Sequence, residues 1–145
     1  MKKYVIVDID GTLTKVGARL ECLKASPPDW DSFYARCAED EPVSAIVNLV
    51  RDLPEHLQVV LCSGRRESCR AATEAWMGAA ELPYDRLLLR NDGDHRHDTS
   101  VKPELLAEAC IPLDEIAFVL EDRNSMVKKW RELGLVCLQV AEGDF

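Results

Sequence analysis

Residues Tyr4–Thr14 read YVIVDIDGTLT. A short apolar run ends in two aspartates one residue apart, followed by glycine and threonine. The run suits a strand buried on both faces. Two carboxylates aimed off its end repel each other unless something cationic sits between them. A hard divalent cation with oxygen ligands would reconcile them, and another acid would complete its shell.

The same pattern recurs along the chain. The runs LQVVLCSG, DRLLLR, EIAFVLED and LVCLQVA also read as buried strands. Helical spacing joins Cys69, Ala72, Trp76 and Ala79, and again Met126, Val127, Trp130 and Leu133, with Gly134 as a stop. KPELLAEAC opens a further helix, with Pro103 near its first position. Strands alternating with helices imply a parallel sheet covered on both faces. Residues 14–42 break the alternation and show no convincing strand. They read as a small insertion, helical around Trp30–Ala38, forming a cap near the strand ends. The whole chain, 1–145, reads as one domain.

Composition narrows the class. Apolar residues make up 47% and charged residues 30%, with a net charge of −8. That balance fits a globular protein and argues against a broad nucleic-acid surface. No apolar run approaches a membrane span. The six cysteines form no CxxC pair and no secretory signal precedes them, so they read as reduced thiols of a cytoplasmic protein.

Ligands of open parallel sheets bind beyond the carboxyl ends of the strands. Asp8 and Asp10 follow the first strand, and Ser63, Gly64 and Arg65 the second. Arg90 through Asp98 follow the third, and Glu121, Asp122 and Arg123 the fourth. A carboxylate beside a metal can attack phosphorus. A hydroxyl and a lysine to hold the phosphoryl oxygens are the expected helpers, and Ser63 and Lys102 fit.

DIDGTLT, LCSGR, Lys102 and LEDR, in this order, resemble the four motifs of the haloacid dehalogenase (HAD) superfamily of phosphotransferases. The resemblance implies an α/β three-layer sandwich with a Rossmannoid parallel sheet in the order 5-4-1-2-3. It implies Asp8 as nucleophile and Asp10 as general acid and base. Ser63 and Lys102 would be phosphoryl ligands. Magnesium would be bound by Asp8, the Asp10 main-chain carbonyl, Asp122 and Glu121.

Within that superfamily the chain resembles the 3′-phosphatase domain of bacteriophage-type polynucleotide kinase. Arg19, eleven residues beyond Asp8, carries this resemblance. So do SGR with Arg65, RNDGDHRHDTSVK with Arg90, Asp98 and Lys102, EDRNSMVKKWRELG, and the tail CLQVAEGDF. The implied reaction is Mg2+-dependent removal of a 3′-phosphate from polynucleotide ends or nucleoside 3′-phosphates, with a general nucleotide or small-molecule phosphatase as the alternative. Arg19, Arg65, Arg90, Arg96 and Asp98 would form the substrate side. Glu121-Asp122 departs from the two aspartates usual there. No GxxxxGK[ST] loop occurs in the sequence, so a kinase or ligase step would come from a separate partner. Trp30 and Phe33 could stack on a base or simply pack the insertion. His95 and His97 read as loop residues. A signalling receiver domain is disfavoured, because a receiver takes phosphate after its third strand.

Overall fold

The computed structural model describes residues 1–145, Ala18 through its backbone alone. Five parallel strands form the central sheet: β1 (Tyr4–Val7), β4 (Gln58–Arg66), β5 (Arg86–Arg90), β6 (Ile116–Glu121) and β7 (Cys137–Gln139). Two short strands, β2 (Thr14–Lys15) and β3 (Glu41–Pro42), pair antiparallel outside it. The sheet order is β5-β4-β1-β6-β7. Counting only its own strands from the β7 edge, this is the expected 5-4-1-2-3.

Side-chain alternation divides the core into two layers. Val5, Val7, Leu61, Leu87 and Leu89 face one way and pack with α2 (Ser44–Arg51) and α3 (Arg70–Ala79). Ile6, Val60, Cys62 and Val119 face the other way, against α4 (Asp98–Glu108) and α5 (Asn124–Glu132). Trp130 is fully buried in this second layer. Burying a side chain such as Ile6 or Leu61 contributes about 2 kcal/mol relative to leaving it in water. All six thiols are free. Among the described residues, no helix is long and apolar enough to cross a membrane.

Three elements differ from the sequence reading. Helix α2 was not anticipated; its Val47 and Val50 close the first layer. Helix α4 begins at Asp98, so Pro103 lies inside it, not near its start. His97 caps this helix, its Nδ1 accepting from the Thr99 amide at 3.3 Å. The insertion does contain strands: β2 and β3 tie its two ends together through Thr14–Pro42 and Lys15–Glu41.

Between those strands lie a 3-10 turn (Gly17–Lys24) and α1 (Trp30–Ala35). Asp29 caps α1 by accepting from the Ser32 amide at 3.0 Å. Trp30, Phe33 and Tyr34 pack on one another, with ring centroids 5.3–5.9 Å apart. The Tyr34 hydroxyl donates to the Gly64 carbonyl at 2.8 Å, and Trp76 Nε1 donates to the Asp40 carbonyl at 2.8 Å. These bonds seat the insertion over the carboxyl ends of β1 and β4.

Candidate functional site

The turn after β1 is built around one carbonyl. The amides of Thr12, Leu13 and Thr14 all point at Ile9 O, at 2.9–3.1 Å. Ile9 is anchored in the core, so Asp8 and Asp10 are held to the opposite side. Gly11 makes the reversal at φ +84°, a conformation that a side chain disfavours. A Cβ there would also land on the Asp122 carboxylate.

Asp8 is almost fully buried. Lys102 Nζ donates to its Oδ1 at 2.8 Å, and the Thr12 hydroxyl to its Oδ2 at 3.0 Å. Lys102 also donates to Glu121 Oε2 at 2.9 Å. The lysine is 2% exposed and reaches the site from the second turn of α4. Burial alone would discharge it; Asp8 and Glu121 instead hold its pKa well above the usual lysine value. A solvated charge at a helix start is thereby ruled out.

Asp8, Glu121 and Asp122 each offer an oxygen within 4.8 Å of the others. Burial first, and then the Asp8 charge, push both Glu121 and Asp122 toward the protonated form. Three carboxylates against one lysine leave an excess of two negative charges, which one divalent cation would balance. An all-oxygen donor set suits magnesium or another hard cation, so the residues fit such an ion. They are not equivalent. Glu121 Oε2 already accepts from Lys102 and, at 3.5 Å, from Trp130 Nε1; its Oε1 accepts from the Asp122 amide at 3.2 Å. The Asp122 carboxylate has only the Thr12 hydroxyl, 3.3 Å from its Oδ1, whose one proton it shares with the closer Asp8.

Asp10 is held from behind. Arg19 Nη2 donates to its Oδ1 at 2.6 Å and Arg65 Nη2 to the same oxygen at 2.8 Å, with Arg65 Nε 3.2 Å from both oxygens. Burial would raise the Asp10 pKa, but Arg65 and then Arg19 hold it down at about 2. Arg19 continues to Asp40 and to the Phe33 carbonyl, and lies over the Phe33 ring at 4.3 Å. Arg65 continues to Thr73 Oγ1 at 3.0 Å.

Arg19 and Arg65, expected on the substrate side, are directed onto Asp10 in this structure. Both are buried, at 2% and 0% exposure, and both serve Asp10. Arg90 is likewise committed, to the carbonyls of Gly64, Asp94 and Arg96 and to the Asp98 carboxylate. Asp98 in turn accepts from Arg123 at 3.1 Å. Arg96 sits half-exposed between Asp94 and Glu104. Buried Ser63 accepts from the Arg65 amide at 3.1 Å, leaving its hydroxyl proton to donate.

A cavity of about 310 Å³ opens above these groups. Asp8, Asp10, Lys102 and Asp122 line it, together with the aromatic rings of Trp30 and Phe145. Sequence reasoning missed Thr12, Asp40 and Arg66, and named Arg123 without giving it a role. Thr12 stands in the DIDGT stretch and Arg66 directly follows SGR, so position alone could have drawn attention to them. Asp40 lies in the patternless insertion and carried no such signal.

Residues 2–145 match the family described as polynucleotide kinase PNKP phosphatase domain. The chain is similar to one in a Pnkp1/Rnl/Hen1 complex, at 32% identity and a TM-score of 0.85, over 100% of this chain and 48% of that one. A second structure, of the Pnkp1/Rnl/Hen1 RNA repair complex, matches at 32% identity and a TM-score of 0.86, over 100% of this chain and 44% of that one. The chain thus spans a little under half the length of these two. L-2-haloacid dehalogenase from Xanthobacter autotrophicus shares the fold at 15% identity and a TM-score of 0.68, over 97% of this chain and 78% of that one. The chain belongs to the polynucleotide kinase PNKP phosphatase-domain family and is a phosphatase of the HAD type.

Proposed function

We propose that this phosphatase removes the 3′-phosphate from polynucleotide ends or nucleoside 3′-phosphates, using Mg2+ and an aspartyl-phosphate intermediate. The observation that carries the reading is the pairing of two differently held aspartates. Asp8 sits with Lys102 among the acids that suit a cation, and Asp10 sits clamped by two arginines. The match to the phosphatase-domain family over nearly the whole chain supports the choice of substrate class.

In this reading Asp8 attacks phosphorus, an Asp8 O–P bond forms and the bond to the leaving oxygen breaks. Asp10 delivers a proton to that oxygen. It then takes one from water, which attacks phosphorus and frees Asp8 and inorganic phosphate. Lys102 and the Ser63 hydroxyl hold the phosphoryl oxygens. Asp8, Asp122 and the Asp10 main-chain carbonyl would hold magnesium, with Glu121 nearby. When bound, the ion supplies charge neutralisation that lets an anion approach a carboxylate. Arg19 and Arg65 orient Asp10.

The two similar chains from Pnkp1/Rnl/Hen1 assemblies, one described as an RNA repair complex, support an RNA 3′-end as substrate and a kinase or ligase activity acting alongside. The test is a substrate panel of 3′-phosphorylated oligoribonucleotides and oligodeoxyribonucleotides, 3′- and 5′-mononucleotides, and sugar phosphates, assayed with and without magnesium. The reading requires 3′-phosphates to be the best substrates and a chelator to stop turnover. Faster hydrolysis of 5′-nucleotides or sugar phosphates would instead make the chain a general phosphatase.

A further inference from the structure

Five cationic side chains line the cavity: Arg66, Arg90, Arg96, Lys102 and Arg123. Lys102, paired with Asp8 and Glu121, is assigned to the reacting phosphoryl group. Every nitrogen of the Arg90 guanidinium has a partner, and so has every nitrogen of Arg96. Arg66 and Arg123 differ. Arg66 uses only Nη1, on Asp31. Arg123 uses Nε on the Phe145 carbonyl and Nη1 on Asp98, leaving Nη2. Among the described residues the one buried side-chain polar atom without a partner is Ser125 Oγ, so the free arginine nitrogens are open to solvent.

The two arginines are also built in the same way. Arg66 lies over the Tyr34 ring at 5.2 Å and Arg123 over the Phe145 ring at 5.4 Å. An aromatic face fixes a guanidinium plane while leaving its edge to donate. The acid partner of Arg66, Asp31, is 87% exposed, so that ion pair competes weakly with another anion. A net charge of −8 disfavours a long nucleic-acid track. It leaves room for one anionic group beyond the reacting phosphate.

We propose that Arg66 and Arg123 form a second anion subsite. It receives the phosphodiester next to the terminal 3′-phosphate and makes the enzyme favour a polynucleotide end over a nucleoside 3′-phosphate. The inference rests on the 3′-phosphatase reading above. A guanidinium donating to a phosphate oxygen is a charge-assisted contact, and losing one costs about tenfold or more in affinity.

The test uses three substrates: a 3′-phosphorylated dinucleotide, the same dinucleotide with a neutral methylphosphonate linkage, and a nucleoside 3′-phosphate. Wild-type enzyme should favour the charged linkage over the neutral one by about tenfold in kcat/KM, mainly through KM. Arg66→Gln and Arg123→Gln should each shrink that preference. Arg66→Gln is the cleaner probe, because Arg123 adjoins Asp122. If wild-type enzyme hydrolyses all three substrates with no preference for the charged linkage, the subsite is refuted and the 3′-phosphatase reading stands. Equal losses in Arg66→Gln on the dinucleotide and the nucleoside 3′-phosphate refute it too. Inertness toward all three overturns the 3′-phosphatase reading, and the subsite with it.

Discussion

Arg65 Nη2 lies 2.8 Å from Asp10 Oδ1, and the guanidinium that carries it is wholly shielded from solvent. The same guanidinium donates to Thr73 Oγ1 at 3.0 Å, so both of its ends are engaged by side chains. Arg65→Lys keeps the charge but loses the fork that grips both Asp10 oxygens. Asp10 then swings within its pocket, and kcat should fall about 100-fold, the scale of a 1 Å misplacement. Steady-state kinetics on a 3′-phosphate checks this, with KM expected to change far less than kcat. A lysine variant as fast as wild type would remove Arg65 from the role.

With its pKa at about 2, Asp10 is ionised at any working pH, yet the leaving oxygen needs a proton. The substrate can bring it in, because a phosphate monoester keeps one proton below its second pKa of about 6. That proton is present at low pH and lost as pH rises. kcat/KM on a 3′-phosphate should therefore fall about tenfold per unit above roughly pH 6. A pH–rate profile at saturating magnesium tests it. A plateau extending to pH 9 would mean that Asp10 obtains its proton from another source.

Gly11 has two constraints where Gly134 has one. Both have positive φ, +84° and +87°, but a Cβ on Gly134 meets nothing within 4 Å, whereas one on Gly11 strikes the Asp122 carboxylate. Gly134→Ala should cost about 1 kcal/mol, the left-handed strain alone. Gly11→Ala adds overpacking and should cost about 2–5 kcal/mol. Urea denaturation of both variants measures the difference. Equal costs would show that Asp122 yields freely.

The contrast between strands and arginines explains what the sequence disclosed. Each core strand is a near-continuous apolar run, because both of its faces are covered; VVLC in β4 can be nothing but interior. Asp8, Asp10 and Asp122 were legible because a strand end fixes where a short side chain begins and allows it little reach. Arg19 and Arg65 were legible as strand-end cations, but their bonds to Asp10 were not. A long side chain turns toward its partner, and that partner includes Asp40, 21 residues from Arg19 inside an insertion without periodicity. β2 and β3 span two residues each, too few for any alternation to show. In α4, Pro103 drew the helix start toward itself, although the capping residue is His97.

Glu121 and Asp122 are neighbours with opposite expected responses to metal. Glu121 is engaged by Lys102, Trp130 and a backbone amide, so its removal breaks a buried ion pair. Glu121→Ala should lower stability by about 1–3 kcal/mol, through buried donors left without their acceptor, and still show a rise in Tm on adding magnesium. Asp122 has few protein partners and is pushed toward protonation by burial and by Asp8. Without metal, Asp122→Ala therefore relieves repulsion and should leave Tm unchanged or higher. With its oxygens gone, the magnesium-dependent rise should disappear. Thermal melts of both variants, with and without magnesium, decide the matter. A metal response lost in Glu121→Ala and kept in Asp122→Ala would make the glutamate the ligand, leaving Lys102 to pair with Asp8 alone.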